Sequence, residues 1–214
     1  MIFFLSVDRH FLIFNLTCAV GLEEGKHTLE ANKGHHLILG EQVDFITGCT
    51  ICDTHDERYR QLLARLLVEH KGYLKKDIDA RRELFFKAAG KTAMIKIDYT
   101  ISLFDKICMI VKYGPGSLTT RHRPALAASR LLALYSVPIV VVTNGKDADI
   151  IDGTTGGIVG RGLESIPSKS ELIKIAEKSR CDRLPDKQIE MEARILYAFE
   201  VDDSCPCDDT ICRF

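Results

Sequence analysis

The segment from Lys106 to Lys146 constrains the fold of this chain more than any other stretch. It begins with an apolar run, Ile107 to Val111, is interrupted at Gly114-Pro115-Gly116, continues in a helical pattern, and ends in a second apolar run, Ile139 to Val142. Short apolar runs bounded by turn residues are typical of strands. The segment therefore predicts a strand, a crossover helix and a second strand.

The same segment is unusually basic for a chain that is close to neutral. It contains six Lys or Arg residues and no Asp or Glu, whereas the whole chain has 29 basic and 30 acidic residues and a net charge of -1. A basic unit in a neutral protein favours contact with phosphate, and the predicted helix would present free backbone N–H groups at its start. The alternative is a solvated cationic face. The residues that we expect to contact nucleic acid are Ser117, Arg121, Arg123, Arg130 and Lys146.

Length and composition are those of one globular core with two tails. The chain has 214 residues, of which 46% are hydrophobic and 28% are charged, and this is enough for one packed core. The apolar start of the chain is similar to a signal peptide, but Asp8, Arg9 and His10 interrupt it. No run reaches the roughly 18 to 20 apolar residues that span a bilayer. We therefore expect a cytoplasmic protein without a membrane partner.

The predicted division of the chain is an N-terminal arm (1–48), an α/β core (49–166) and C-terminal helices with a cysteine-rich tail (167–214). The core opens with a helix, because Thr54 followed by Glu57 is the pattern of a capping box and Gly72 is suited to end the helix. A basic linker leads from there to a short strand at 83–88.

The next strand, 94–103, carries the first candidate for chemistry. Apolar and polar residues alternate along it, which predicts one face with Ile95, Ile97, Tyr99, Ile101 and Leu103 and a polar face with Lys96 and Asp98. A tight turn then leads into strand 107–113, which should pair antiparallel with it.

Further strands are predicted at 139–142 and 148–151, and further helices at 168–178 and 186–199. Pro124 is expected in the first turn of the crossover helix, where its missing N–H costs little. The order of elements implies an α/β sandwich around a small mixed β-sheet that is flanked by helices.

This layout and several short motifs resemble one known group of enzymes. A helix, three strands, a helix and a strand, with an acid on the middle strand, form the core of PD-(D/E)XK nucleases. The chain is similar in particular to the N-terminal nuclease domain of type I restriction enzyme R subunits, over roughly residues 53 to 163. The matching motifs are Asp56-Glu57-Arg58 with Arg60-Gln61, Lys71-Gly72-Tyr73, Lys96-x-Asp98, Gly114-Pro115-Gly116 and the run from Pro138 to Gly145.

The resemblance implies a restriction-endonuclease-like fold, DNA as the partner, and Mg²⁺ held by carboxylates, which activates a water and stabilises charge on the phosphate. Asp98 matches the first acid. The second acid and the lysine of the family are replaced by Val111-Lys112-Tyr113, and Lys112 should point away from Asp98 because strand side chains alternate. One carboxylate alone holds Mg²⁺ poorly. The catalytic candidates are Asp98, Lys112, Glu57 and Glu83, where the two glutamates are candidates for a migrated carboxylate.

The chain has eight cysteines, and several of them form a second candidate site. Cys205, Cys207 and Cys212 are clustered near the end of the chain, and Cys49 and Cys52 form a Cys-x-x-Cys pair. Thiolate sites take four ligands, which predicts a Zn²⁺ or iron–sulfur site whose fourth ligand comes from Cys49, Cys52 or Cys181. Some nucleases of the resembled class hold an iron–sulfur cluster in a similar layout. The alternative is a set of free thiols.

Three functions therefore stay open on the sequence alone. The first is a DNA-associated protein that keeps the nuclease fold but does not cleave. The second is an active, Mg²⁺-dependent DNA endonuclease with migrated catalytic residues. The third is a metal-binding redox protein or partner-binding protein built around the cysteines, and a protein partner or a homodimer fits any of the three.

Overall fold

The computed structural model of the chain describes residues 37–202 and 211–213. The α-helices are α1 His55–Arg65, α2 Thr119–Ala133, α3 Lys169–Lys178 and α4 Asp186–Leu196. Two of them continue as π-helices, α1 through Leu66–His70 and α4 through Tyr197–Asp202. The strands are β1 Gly40–Val43, β2 Thr50–Asp53, β3 Ile78–Ala88, β4 Lys91–Leu103, β5 Lys106–Tyr113, β6 Ile139–Thr143, β7 Ala148–Asp152, β8 Ile158–Arg161 and β9 Ile211–Arg213.

The main sheet has the order β3-β4-β5-β6-β7-β8, and β9 pairs with β4. Strands β5 and β6 are parallel and are joined by α2, while the other described neighbours in this sheet are antiparallel. Strands β1 and β2 form a separate hairpin. The strand, crossover helix and strand predicted from the segment 106–146 are confirmed, and so is the mixed sheet.

Helices cover both faces of the sheet and create two hydrophobic layers. On one face, Leu126 of α2 and Leu196 of α4 pack against the sheet with Ile110 and Val140. On the other face, side chains of α1 and α3, such as Leu67 and Leu172, pack with Met109 and Val141. The alternation of side chains along β5 and β6 sends neighbouring residues to opposite layers, which explains why the central residues 107–111 and 139–142 are all apolar.

The hairpin β3–β4 changes faces halfway along its length. Ile97 packs in the layer of α2 and α4, but Tyr99 packs in the layer of α1 and α3. The pairing register omits Arg81 and Asp98, which lie opposite each other at this point, and Arg81 has a left-handed φ of 54°. The single apolar face predicted for strand 94–103 is therefore wrong, because a local distortion turns both strands over at Asp98.

Two features also differ from the sequence-based expectation. Strand β3 begins at Ile78 rather than near Glu83. The charged residues at its start are tolerated because β3 lies at the edge of the described sheet, where one side meets solvent. Pro124 lies in the second turn of α2 rather than the first. Of the helices in the described residues, none has the length and apolar character to cross a membrane.

Helices α2 and α4 are joined by a buried ion-pair cluster. The Glu192 side chain is fully buried, with Arg130 Nη1 donating to its Oε1 at 2.7 Å and Arg123 Nη1 lying 2.6 Å from its Oε2. Arg130 also donates to the carbonyl oxygen of Gly153 at 3.2 Å. A buried carboxylate with two guanidinium partners is stable only while all three charges remain together.

We expect Glu192→Ala to destabilise the protein by about 3 to 5 kcal/mol, because two partly buried guanidinium groups lose their counter-charge. Urea unfolding followed by circular dichroism measures the change. The matched control is Glu190→Ala, since Glu190 forms an exposed pair with Arg194 on the same helix and its removal should change stability by less than about 0.5 kcal/mol. Equal effects of the two substitutions would contradict the proposed role of Glu192.

Candidate functional site

Three carboxylates and two guanidinium groups meet where α1 crosses the turned part of the hairpin β3–β4. They belong to Asp44 in the turn after β1, Glu57 and Arg60 on α1, Arg81 on β3 and Asp98 on β4, and we call these five residues the acidic site. Asp44, Glu57 and Asp98 are all buried. The site therefore joins the small hairpin, the first helix and the main sheet.

The start of α1 sets the position of Glu57. The Thr54 hydroxyl accepts a hydrogen bond from the Glu57 backbone N–H at 3.1 Å and caps the helix as expected. The Glu57 carboxylate does not complete a capping box, because it accepts from Arg81 Nη2 and, at 2.8 Å, from Gln61 Nε2 instead. The capping-box interpretation of Glu57 is therefore wrong, and this glutamate belongs to a buried network.

Both oxygens of Asp98 are bonded within the protein. Oδ1 accepts from Arg60 Nε at 2.6 Å, and Oδ2 accepts from the backbone N–H of Tyr113 at 2.8 Å. Regular pairing of β4 with β5 ends at Tyr99 and Val111. Asp98 thus takes over the acceptor role that a backbone carbonyl would otherwise have for Tyr113.

Arg81 and Gln61 tie Asp44 and Glu57 together. Arg81 Nη1 donates to Asp44 Oδ2 at 2.8 Å, and Gln61 Nε2 donates to the same oxygen at 2.9 Å. Arg60 Nη1 lies 3.5 Å from Glu57 Oε2, so Arg60 touches both Glu57 and Asp98. The five charges form a continuous chain from Asp44 through Arg81, Glu57 and Arg60 to Asp98.

These contacts shift the protonation of the site. Burial alone would raise the pKa of Asp44, but the Thr47 backbone N–H, Arg81 and Gln61 outweigh it and lower the pKa from 3.8 to about 2. Burial also opposes the charge of Arg60, yet attraction to Asp98 and Glu57 raises the pKa of Arg60 above its ordinary value. Asp44 and Arg60 are therefore charged across the physiological range.

The residues present do not fit a magnesium ion. Mg²⁺ needs carboxylate oxygens that are free to coordinate it, whereas Asp98 uses both of its oxygens and Glu57 faces two arginines. The neighbouring strand offers the apolar, fully buried Val111. Within residues 37–202 and 211–213, no group of three His, Cys, Asp or Glu side chains is arranged to hold a metal ion.

Two catalytic candidates lie away from the acidic site. Lys112 Nζ donates to the Lys96 carbonyl oxygen and to Glu200 Oε2, both at 3.3 Å, next to the π-helix after α4. Glu83 is exposed on edge strand β3, opposite Lys96. The structure brings Glu57, one of the two candidates for a migrated carboxylate, close to Asp98. It does not bring the side chains of Lys112 or Glu83 to them.

The basic candidates separate into two groups. Arg123 and Arg130 bind Glu192, whose place 62 residues after Arg130 no local pattern reveals. Ser117, Arg121 and Lys146 instead lie near the carboxyl ends of β5 and β6, where Ser117 and Lys146 are exposed and Arg121 is half-buried.

Hydrogen bonds hold the loops at this end of the sheet together. Gly114 N–H donates to the Thr143 carbonyl oxygen at 3.0 Å, and Asn144 Nδ2 donates to the Gly116 carbonyl oxygen at 3.3 Å. Arg121 Nη2 donates to the Pro115 carbonyl oxygen at 3.0 Å. The loop that leads from β5 into α2 and the turn after β6, which carries Lys146, are therefore bonded to each other.

Sequence reasoning missed one more cation at this end. Arg161 of β8 lies opposite Asp149 of β7, and its side chain is 76% exposed. Asp149 is also bound by His122 of α2 at 2.7 Å. The signal that could have identified Arg161 is the antiparallel pairing of 148–151 with 158–161, which places it opposite Asp149. We call Ser117, Arg121, Lys146 and Arg161 the basic edge.

An aromatic pair lies between the acidic site and the basic edge. The rings of Tyr59 and Tyr113 are stacked with centroids 6.0 Å apart, and the Arg60 guanidinium lies 5.0 Å from the Tyr113 ring. Gly145 has a φ of 85°, and a Cβ at this position would come within 2.5 Å of Tyr59. Tyr59 therefore holds the turn with Lys146 close to α1.

The cysteine prediction lies mostly outside the described residues. Cys49 is half-buried and Cys52 is exposed, and both lie in the β1–β2 hairpin. Cys205 and Cys207 lie outside the described residues, and for Cys212 the backbone pairs with Met94. The Zn²⁺ or iron–sulfur site stays a prediction.

The fold and this site define a restriction-endonuclease-like protein. A helix leads into three antiparallel strands, a crossover helix and a parallel strand, with an acid at the middle strand. The family model described as type I restriction enzyme R protein N terminus matches residues 55–167. This is more than half of the 214 residues, and the chain belongs to that family. No curated protein and no solved structure matches the chain.

The lowered pKa of Asp44 predicts a loss of stability in acid. The folded-state pKa of about 2 lies below the unfolded value of 3.8, so the contribution of Asp44 is fully present above pH 3.8 and is lost as pH falls toward 2. The shift corresponds to about 2 kcal/mol. Urea unfolding from about pH 5 down to about pH 2 should show wild type and Asp44→Asn converging in stability.

The control for this experiment is Asp105→Asn, in an exposed turn with a left-handed φ of 59° that Asn also adopts. This variant should follow the wild-type pH profile throughout. A stability difference between wild type and Asp44→Asn that stays constant with pH would show that Asp44 does not titrate as described.

Proposed function

We propose that the chain is a DNA-binding module of the type I restriction enzyme R family that contacts the phosphate backbone through the basic edge and does not cleave DNA. The observation that carries this proposal is the grouping of Arg121 of α2, Lys146 in the turn after β6 and Arg161 of β8 at one end of the sheet. Asn144 bonds the turn after β6 to the loop that leads into α2. Clustered cations on one face are the usual electrostatic footprint of a nucleic-acid interface.

The start of α2 supports the same proposal. This helix has 15 residues, and Leu118 at its N-cap provides no side-chain acceptor for the first backbone N–H groups. Such groups, together with the positive end of the helix dipole, bind phosphate oxygens. Gly116 precedes the helix with a φ of 89° and has open space around it, so that a phosphate can approach the backbone closely.

The proposal that cleavage is absent follows from the acidic site. An active centre would need a metal between carboxylates and a lysine directed at the nucleophile, but Asp98 is bonded to Arg60 and Tyr113, and Lys112 is bonded to Glu200. DNA binding does not require these groups. The basic edge is separated from Asp98 by the stacked Tyr59 and Tyr113.

Removing two cations of the basic edge should weaken DNA binding. We expect Arg121→Ala/Lys146→Ala to bind duplex DNA more weakly at all sequences, and to lower the slope of log affinity against log salt by about 2, one unit for each lost phosphate contact. Fluorescence anisotropy at several salt concentrations measures both quantities. The matched control is Lys174→Ala/Lys187→Ala, which removes two exposed lysines from α3 and α4. Loss of affinity in the control alone would contradict this interface.

A supercoiled-plasmid assay tests the absence of cleavage. With Mg²⁺ or Mn²⁺, wild type and Asp98→Ala should both leave the plasmid supercoiled, because the carboxylates that would bind the metal are held by arginine. Nicking by wild type that disappears in Asp98→Ala would show an active nuclease and contradict this half of the proposal. Nicking that persists in Asp98→Ala would identify a contaminant.

A further inference from the structure

Two cysteines line one small cavity near the start of β5, the strand end opposite to the one that leads to the basic edge. Cys108 of β5 is buried, with 4% of the residue exposed, and Cys181, in the segment that joins α3 to α4, is half-buried. The cavity has a volume of about 140 Å³, and Phe104 of the β4–β5 turn and Ala176 of α3 also line it. The fold therefore brings together two thiols that are far apart in the sequence.

Tyr135 ties the two stretches of chain together. Its hydroxyl donates to the Ile107 carbonyl oxygen at 3.1 Å and accepts from the Ile107 backbone N–H at 3.0 Å, and Ile107 directly precedes Cys108. The backbone of Tyr135 pairs with Arg183, which lies two residues after Cys181. One residue thus links the strand that carries Cys108 to the segment that carries Cys181.

The segment with Cys181 is held at both ends. At one end, the Ser179 hydroxyl donates to the Ile175 carbonyl oxygen of α3 at 2.7 Å. At the other end, the Leu184 backbone N–H donates to the Leu134 carbonyl oxygen at 3.0 Å. Because only a few residues separate these two anchors, Cys181 has little freedom to leave the wall of the cavity.

The two thiols differ in protonation and access. Burial raises the pKa of the Cys108 thiol and outweighs the opposite effect of its backbone contact with Leu103, and the charge of a Cys181 thiolate raises it further. The Cys108 Sγ also donates to the Lys106 carbonyl oxygen at 3.4 Å. Cys108 is therefore held as a protonated thiol inside the protein, whereas Cys181 is accessible from solvent and meets a dissolved oxidant first.

We infer that Cys108 and Cys181 form a reversible disulfide when the protein meets a disulfide oxidant such as glutathione disulfide. The Cys181 thiolate attacks one sulfur of the oxidant, which forms a mixed disulfide and releases one glutathione. The Cys108 thiol then loses its proton and attacks the Cys181 sulfur, which releases the second glutathione. Two protein thiols are oxidised to one disulfide, and one glutathione disulfide is reduced to two thiols.

The disulfide fastens the α3–α4 connection to the main sheet. It closes a long loop of the chain, from β5 to the segment before α4, and so lowers the conformational entropy of the unfolded state. We expect the oxidised protein to have a Tm about 5 to 10 °C above that of the reduced protein. This inference does not depend on the proposed binding of DNA.

Peptide mapping without reductant tests the inference directly. The folded full chain is incubated with glutathione disulfide, its remaining thiols are blocked with iodoacetamide, and it is digested with trypsin. Cleavage after Lys and Arg releases Cys108 in the peptide 107–112 and Cys181 in the peptide 181–183. We expect mass spectrometry to find these two peptides as one linked species that dithiothreitol separates. Protein that has not met the oxidant should give the two peptides separately.

The decisive variant is Cys181→Ser, which leaves the buried Cys108 in place. It should lose both the linked species and the rise in Tm on oxidation. The matched control is Cys52→Ser, which removes an exposed thiol of the β1–β2 hairpin and should keep both. Glutathione attached to Cys181 without the linked species, a link from Cys181 to another cysteine of the chain, or a linked species with an unchanged Tm would overturn the inference.

Discussion

The hydrogen bond from the Tyr113 backbone N–H to Asp98 is the constraint on which the rest of the structure depends. It lies where the β4–β5 ladder ends and where the hairpin β3–β4 passes from one hydrophobic layer to the other. A buried N–H at this point needs an acceptor, and Asp98 provides one with a full negative charge. That charge in turn requires a cation, and Arg60 of α1 supplies it. The placement of the first helix on the sheet is thus linked to the end of one strand ladder.

Buried charges are costly unless each is paired and hydrogen-bonded. The network meets this condition because each arginine pairs with two carboxylates. Arg60 pairs with Asp98 and Glu57, and Arg81 pairs with Glu57 and with Asp44 in the small hairpin. The β1–β2 hairpin is therefore docked by polar contacts to α1 and β3. Its exposed Val43 shows that the hairpin does not depend on apolar burial alone.

The sequence allowed the fold to be predicted better than the site, for a physical reason. Apolar runs and turn residues are local signals, and they predicted the strand, crossover helix and strand of 106–146 and the restriction-endonuclease-like class. Partners of charged residues are not local. Glu192 neutralises Arg123 and Arg130 from a helix far along the chain, and Arg81 reaches Glu57 because of a left-handed φ that an arginine rarely adopts. The same distortion at Arg81 sends the two halves of β4 to opposite hydrophobic layers, although apolar and polar residues alternate regularly along its sequence.

The geometry is also compatible with the proposed binding of DNA without a metal. Phosphate contacts need accessible cations, and here these come from the start of α2, from the turn after β6 and from β8. Cleavage needs carboxylates free to hold a metal, and these come from α1 and β4, on the far side of the stacked Tyr59 and Tyr113. Because the two sets of residues share no hydrogen bond among those described above, arginines can neutralise one set while the other remains open to a polyanion. The tyrosine pair keeps the two sets adjacent, since Tyr59 packs against the Gly145 turn and Tyr113 donates its backbone N–H to Asp98.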